Sequence, residues 1–406
     1  MADKDKDLED NEVITIENDE VVNKYKMAAE VSNCVLKKVV ESAVDGAKII
    51  DLCAKGDNLI EENVKLLFTK AKNITKGIAF PTCVSVNHII CHFSPLPSDP
   101  DSSEVLKNGD VAKIQLGTQI DGFAAIVATT IVVGASKENP VKGRRADLLT
   151  AAHLASEAAL RLIKPGSGNM KVTDTIQKIA KAFDTNSVEG MLSYQQEKNN
   201  IEGKKQIILN PNENQKVDKV EFGENEVYGV DILISTGEGK PKPTTKRVTV
   251  YKKTDITYLL KLKASRLVYN EISQTFGSFP FPLRALSDEK KAKMGIIECT
   301  KHSLVAPYEV YQEKEGKREF VAQFFSTILL TKNGTSIITD TLYDPETVQS
   351  DKKLEDEEIL QLLSTSVGKP KKKKKKKANT ASTAAGSDNT IKEEVVSTEV
   401  SAEASG

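Results

Sequence analysis

The strongest constraint on this chain is a plan that its sequence states twice. From Asn23 the apolar residues Ala28, Val31, Val35 and Val39 recur at the spacing of one helix face. The stretch AVDGAK then breaks the pattern, and a second apolar-patterned segment runs to about Cys53. From about Arg145 the plan returns: Ala151, Leu154, Ala158 and Leu162 make a stripe, IKPGSG interrupts it, and VTDTIQKIAKAF follows. A second echo joins GDVAKIQ, ending at Gln115, to NEVYGVD, ending at Asp231; each is a turn feeding a strand. Such pieces also recur by chance in α+β proteins. As a true repeat they predict an α+β fold with a pseudo-two-fold axis, in which Gln115 and Asp231 hold equivalent positions facing a shared centre.

The remainder divides into segments of different character. Residues 1–20 hold nine acids against two lysines, which reads as an acidic disordered arm. The folded domain is expected over 21–340, with a Pro- and Lys-rich excursion near 238–253. Helices are expected at Tyr258–Thr275 and Ser287–Lys301, and a strand at Phe320–Leu330. Residues 341–363 read as an acidic linker ending in a short amphipathic helix. Residues 364–406 read as a disordered Lys-rich tail without aromatics. The most apolar run, Phe123–Ala135, is shorter than the roughly 20 residues of a membrane span, so no membrane partner is expected. The acidic opening has no signal-peptide pattern, and five cysteines form no pairing pattern, which fits a reducing compartment.

The blocks AAEVSNCVLKKV, CVSVNHIICHFSP, GDVAKIQLGTQIDGF, ENEVYGVDILISTGEGK and FVAQFFSTILL, in this order, resemble the type 2 methionine aminopeptidases and their creatinase-like, or pita-bread, fold. The string FPFPLRALSDEKKAKMGIIECTKHSLVAPYEVYQEKEG and the lysine-rich tail resemble a non-peptidase branch of that fold, the proliferation-associated or ErbB-receptor-binding family. Active members hold two divalent metals with two aspartates, a histidine and two glutamates. Matched block by block, the resemblance puts those places at Gln115, Ile126, Met191, Asp231 and Phe325. One acid is left, and isoleucine and phenylalanine offer no lone pair while a thioether suits soft ions. The expectation is therefore a degenerate centre with no metal, no cofactor and no peptidase activity. His92 matches a substrate-contacting histidine and reads either as a pocket remnant or as a hydrogen-bonded core histidine. Cys83, His88, Cys91 and His92 crowd ten residues in strand-like alternation, unlike the paired spacing of a structural zinc site.

Eight lysines, Lys369 and Lys371, Lys372, Lys373, Lys374, Lys375, Lys376 and Lys377, surround one proline. Such a block binds phosphates without base specificity, or serves as a nuclear address. The excursion adds Lys240, Lys242, Lys246, Arg247, Lys252 and Lys253, read as an RNA-binding surface or as a solvated hairpin. Ile359, Leu362 and Leu363 resemble an LxxLL docking helix, or cap their own core. The resemblance implies RNA and ribosomal or pre-ribosomal particles as partners, a part in ribosome biogenesis, translation and growth control, and residence in cytoplasm, nucleus and nucleolus. A metal-free pocket for peptide N-termini, a transcriptional or signalling co-regulator and, least favoured, an active metalloaminopeptidase are the other classes.

Overall fold

The computed structural model describes residues 15–71, 73–213, 215–314 and 318–368. The first half comprises α1 (Asp19–Ser42), α2 (Ile49–Lys65), β1 (Lys76–Val86), β2 (Ile89–Cys91), β3 (Val111–Ile120), β4 (Phe123–Val132) and β5 (Val141–Lys142). Asn18 caps α1 by accepting the Glu20 N–H at 2.8 Å, with two acids in the first turn against the positive end of the helix. The second half repeats the plan with α3 (Arg144–Leu162), α4 (Asn169–Ala182), β6 (Asn186–Ser187), β7 (Leu192–Gln196), β8 (Gln206–Ile208) and β9 (Glu226–Ser235). An excursion follows: β10 (Lys242–Pro243), β11 (Val250–Lys253), α5 (Lys263–Thr275), β12 (Phe281–Pro282), α6 (Glu289–Lys301), β13 (Val305–Pro307) and β14 (Tyr311–Gln312). The chain then forms β15 (Val321–Thr331), β16 (Gly334–Ile337), β17 (Val348–Gln349) and α7 (Glu357–Ser364).

The repeat is physical. Gly46, at φ 81°, turns the first helical hairpin, and its N–H donates to the Leu106 carbonyl at 2.8 Å while the Leu106 N–H donates back to Ala47. Gly166, also at φ 81°, turns the second; its N–H donates to Phe222 at 2.9 Å and Phe222 donates back to Ser167. Positive φ is why glycine stands at both turns. The main sheet runs β1-β3-β4-β15-β9-β7-β8, so that each half contributes its strands in mirrored order from a central β4·β15 seam. Helices α1 and α2 pack on the first half and α3 and α4 on the second. Strand alternation separates the faces: Ile114, Leu116 and Val127 look to the helices, as do Val230, Ile232 and Phe324, whereas Ile126 and Phe325 join a cluster on the other face with Val250 and Phe279 of the excursion.

At the seam the two halves share only one paired position, Phe325 with Ala128. On either side a threonine hydroxyl stands in for the missing ladder. Thr130 Oγ1 donates to the Gln323 carbonyl and accepts the Gln323 N–H, both at 2.7 Å. Thr327 Oγ1 does the same for Ile126, at 2.8 and 2.9 Å. The two threonines lie two residues beyond Ala128 and Phe325, so they are partners under the pseudo-two-fold.

Several expectations need correction. Helix α2 continues twelve residues past Cys53, through Gly56 and Asp57, which resemble a break. Tertiary packing needs both: a Cβ on Gly56 would fall 2.3 Å from Thr82 Oγ1, and Asp57 accepts the Thr82 N–H at 2.7 Å and pairs with the buried Arg284 of the excursion. The helix expected from Tyr258 begins at Lys263, because Glu298 of α6 takes the N–H groups of Lys261 and Leu262 at 2.9 and 3.2 Å and Tyr258 stacks on His302. Residues 15–20, expected in the arm, are ordered, with Ile16 buried against Tyr25 and Phe123. Residues 341–363, expected as an acidic linker ending in a short amphipathic helix, do contain that helix as α7 but pack on the body: β17 pairs with β5, and Leu354 and Ile359 are buried in the second-half core. The tail calls from Lys369 onward lie outside the described residues.

Two stability predictions follow from the seam and from α7. Thr130→Val or Thr327→Val strands a buried N–H and C=O, and each should cost about 2–4 kcal/mol in denaturant unfolding. Ile359→Ala should cost about 2–4 kcal/mol and Leu360→Ala, which is 45% exposed, less than about 0.5 kcal/mol.

Candidate functional site

Cys83, Gln115, Ala128, Phe325 and Asp231 stand in one row across β1, β3, β4, β15 and β9. Gln115 and Asp231 thus lie symmetrically about the seam, each nine residues after the hairpin-bonding Leu106 or Phe222. Where the sheet opens, a cavity of about 280 Å³ is lined by Gln115, Ile126, Met191, Asp231 and Phe325 together, with His92 at its side. The five positions that the resemblance scattered over the chain converge on one site.

Its chemistry is set by what fills it. A Cβ on Gly117 would lie 2.7 Å from Ile126 Cγ1, and one on Gly229 would lie 2.6 Å from Phe325 Cζ. The two hydrocarbon side chains therefore rest on bare backbone in the middle of the site. Gln323, which the sequence reading missed, projects from β15 between the two symmetric polar residues: its Nε2 donates to both carboxylate oxygens of Asp231 at 2.8 and 3.1 Å and to Gln115 Oε1 at 3.4 Å. The repeat contained a signal for it, since Gln323 precedes Phe325 by two residues as Ile126 precedes Ala128. Two divalent ions need several charged oxygen donors. Here one carboxylate and one amide oxygen share a single donor, and hydrocarbon or thioether occupies the other three places, so these residues do not fit a metal pair. Among the described residues no group of three His, Cys, Asp or Glu is placed to hold a metal ion.

Burial without a cationic partner pushes the Asp231 carboxyl up to about 7, against which the Gln323 amide works. His92 sits at φ 62°, a backbone region that non-glycine residues seldom adopt. Its Nδ1 donates to the Glu309 carbonyl at 3.0 Å, which leaves Nε2 with the lone pair, and burial lowers its pKa. The ring lies 5.8 Å from Phe80 and edge-on to Tyr308 at 5.1 Å. His92 lines the pocket and is hydrogen-bonded in its wall. Cys83 and Cys91 are buried thiols, and burial pushes Cys91 up to about 12, far from thiolate. Tyr308 and Lys252 of the excursion both reach Glu202, Lys252 at 2.8 Å, tying the excursion to the loop at the pocket mouth.

The basic residues of the excursion separate into two kinds. Lys246 pairs with Glu104 and Asp101 at 2.6 and 3.1 Å, Arg247 with Asp99 at 2.9 Å, and Lys252 with Glu202. These three carry their own counter-charges. Lys240 and Lys242 are exposed, and Lys253 is half-buried with its ammonium 6.0 Å from the Tyr269 ring centroid. Ile359 is buried in the second-half core and Leu362 and Leu363 pack against it partly buried, so the three residues called as a docking face serve the chain's own core, while Leu360 stays exposed. Lys369 and Lys371 to Lys377 lie outside the described residues.

The sequence profile of metallopeptidase family M24 matches residues 23–213. The chain is 52% identical to the "Curved DNA-binding protein" of Schizosaccharomyces pombe over 87% of this chain and 92% of the relative. It is 44% identical to "ERBB-3 BINDING PROTEIN 1" of Arabidopsis thaliana, over 90% of this chain and 91% of the other. A solved structure described as that of a thermophilic Arx1 superposes with a TM-score of 0.82 at 38% identity, covering 87% of this chain and all of that one. With the mirrored strand order, these likenesses bear out the pita-bread fold.

The raised Asp231 pKa has a stability consequence with a definite sign. The unfolded carboxyl titrates near 4, so folding takes up a proton here between about pH 4 and 7. This site's contribution is fully present below about pH 4 and is lost as pH rises through about 7. Asp231→Asn, which keeps an oxygen for Gln323, should match the parent at pH 4 and exceed it by on the order of 1–2 kcal/mol at pH 8, read by urea unfolding at the two pH values.

Proposed function

The chain belongs to metallopeptidase family M24, with the ErbB-3-binding and proliferation-associated proteins among its relatives, and from that premise we propose that it is a non-catalytic member acting as a nucleic-acid-binding scaffold. The observation that carries the non-catalytic part is the packing of Ile126 and Phe325 into the centre, where metal chemistry would need lone pairs. Without a bound Lewis acid to activate water, one half-buried carboxyl held by an amide supplies no route to peptide hydrolysis at neutral pH.

The nucleic-acid part rests on charge placement. Lys246, Arg247 and Lys252 are spent on internal carboxylates. Of the basic residues in the excursion and the tail, that leaves Lys240, Lys242, Lys253 and the eight-lysine block from Lys369 to Lys377 for phosphates. A relative that is 52% identical carries a DNA-binding name, which supports nucleic acid as the partner class. The family resemblance narrows this to RNA in ribosomal and pre-ribosomal particles, with residence in cytoplasm, nucleus and nucleolus and a role in growth control. The packed α7 argues against the co-regulator reading.

Ending the chain at Gly368 retains the bond from Arg161 Nε to the Thr365 carbonyl and the packing of Val367, so the body stays whole. In sedimentation with ribosomal particles across a salt series, the full chain should bind, with log affinity for single-stranded RNA falling at a slope near about −4 per log unit of salt if about six lysines engage. The truncated chain should lose most of that slope. Failure of the full chain to bind ribosomal particles or RNA overturns the reading, as does peptide cleavage accompanied by two metals per chain in the same preparation.

A further inference from the structure

The turn before β3, the end of β4, β5 and the first turn of α3 enclose a second cavity, of about 420 Å³, which shares no lining residue with the one at the seam. Its polar side chains are Asn108, Asn139, Lys142 and Arg145, and among the described residues no acid lines it. Two glycines make room for two of these side chains. Gly109 and Gly134 stand at φ 88° and 79°, a region that favours glycine. A Cβ on Gly109 would lie 2.9 Å from the Arg145 guanidinium, and one on Gly134 would overlap the Asn108 amide. Arg145 is fixed further: it donates to the Gly109 carbonyl, and its guanidinium lies 5.4 Å from the Phe320 ring centroid. One bond to a carbonyl leaves most of the guanidinium donors uncommitted.

Charges around the cavity are matched, whereas those inside it are not. Lys137 pairs with Asp344 and Glu346, and Arg144 pairs with Glu319 at 2.7 Å. Asp110 accepts from Asn87 Nδ2 and the Lys107 N–H at 2.9 and 2.8 Å, and Asp147 accepts from the Ser350 hydroxyl at 2.6 Å and pairs with Lys352. Among the described residues no carboxylate pairs with Lys142 or Arg145. A concave site with two unmatched cations, two amides and no acid is complementary to a phosphate group. We propose that this cavity holds a phosphodiester of a single-stranded nucleic acid, which gives the body a contact of its own apart from the tail. The guanidinium suits paired phosphate oxygens, Lys142 adds charge at the rim, and Asn108 and Asn139 supply neutral donors. A strand fits better than a free nucleotide because no aromatic ring among the described residues lines the cavity to stack a base. The proposal rests on the nucleic-acid reading for its ligand, but its site owes nothing to the lysine block.

The test titrates the full chain and the chain ending at Gly368 with a fluorescent uridine oligonucleotide about twelve residues long, and with uridine monophosphate as competitor, across a salt series. Each chain is compared with Asn108→Asp, Lys142→Glu and the charge control Lys178→Glu, whose exposed side chain stands on α4. Asn108→Asp exchanges an amide for an acid of the same shape, and unchanged melting temperatures without ligand show that every variant is folded. In the shortened chain the expected salt slope is about −1.4, for two cations engaged. Asn108→Asp and Lys142→Glu should each weaken its binding about fivefold or more, and Lys178→Glu less than about twofold. An equal loss in Lys178→Glu overturns the site, since net charge alone then explains it, as does binding unchanged in both cavity variants. Uridine monophosphate binding as tightly as the oligonucleotide overturns the strand as ligand and assigns a small phosphorylated molecule. Binding by the full chain with none by the shortened one overturns this proposal and leaves the nucleic-acid reading standing; no binding by either overturns both.

Discussion

Everything in this fold hangs on the way two similar halves meet at one strand seam. Strands β4 and β15 pair backbone to backbone only at Ala128 and Phe325, and from there the ladder is carried by two threonine hydroxyls that each serve one N–H and one C=O of the opposite strand. A hydroxyl can do this because it donates and accepts at once. On the face away from the helices, side chains from this row of strands, Gln115, Ile126, Phe325 and Asp231, line the cavity.

The contents of that pocket then decide its chemistry. A centre with hydrocarbon at Ile126 and Phe325 and a thioether at Met191 gains burial energy where charged donors would pay desolvation. The acid that remains, Asp231, meets the neutral Gln323 amide and no cation among the described residues, so burial raises its pKa. A buried lysine shows the opposite solution: Lys113 satisfies its ammonium on the carbonyls of Asn87 and Val321, and burial brings its pKa down to about 7.

Charge follows a similar division between use inside the fold and use outside it. In the sequence the excursion and the tail look alike, as runs of lysine and arginine. In the structure three of the excursion's cations close onto Asp99, Asp101, Glu104 and Glu202, so they fasten the excursion to the body. The pairing could not be read from spacing, because the carboxylates lie 50 to 148 residues away in the chain.

The sequence by itself determined the duplicated plan, the α+β class and the equivalence of Gln115 and Asp231, while only its resemblance to a known family picked out Ile126, Met191 and Phe325. The first three are local properties: helix periodicity, glycine at the turns, and a recurring turn-and-strand pattern. What only the tertiary structure decided are the features that depend on a distant partner. Helix α2 runs through Gly56 and Asp57 because Thr82 and Arg284 are there to meet them, and α5 starts late because Glu298 holds the preceding amides. Gln323 becomes the central donor because the seam points it between Asp231 and Gln115, and α7 becomes core because α3 offers Ile359 a surface. Propensity acts over a few residues, whereas burial and hydrogen-bond satisfaction are settled among residues brought together by the whole fold.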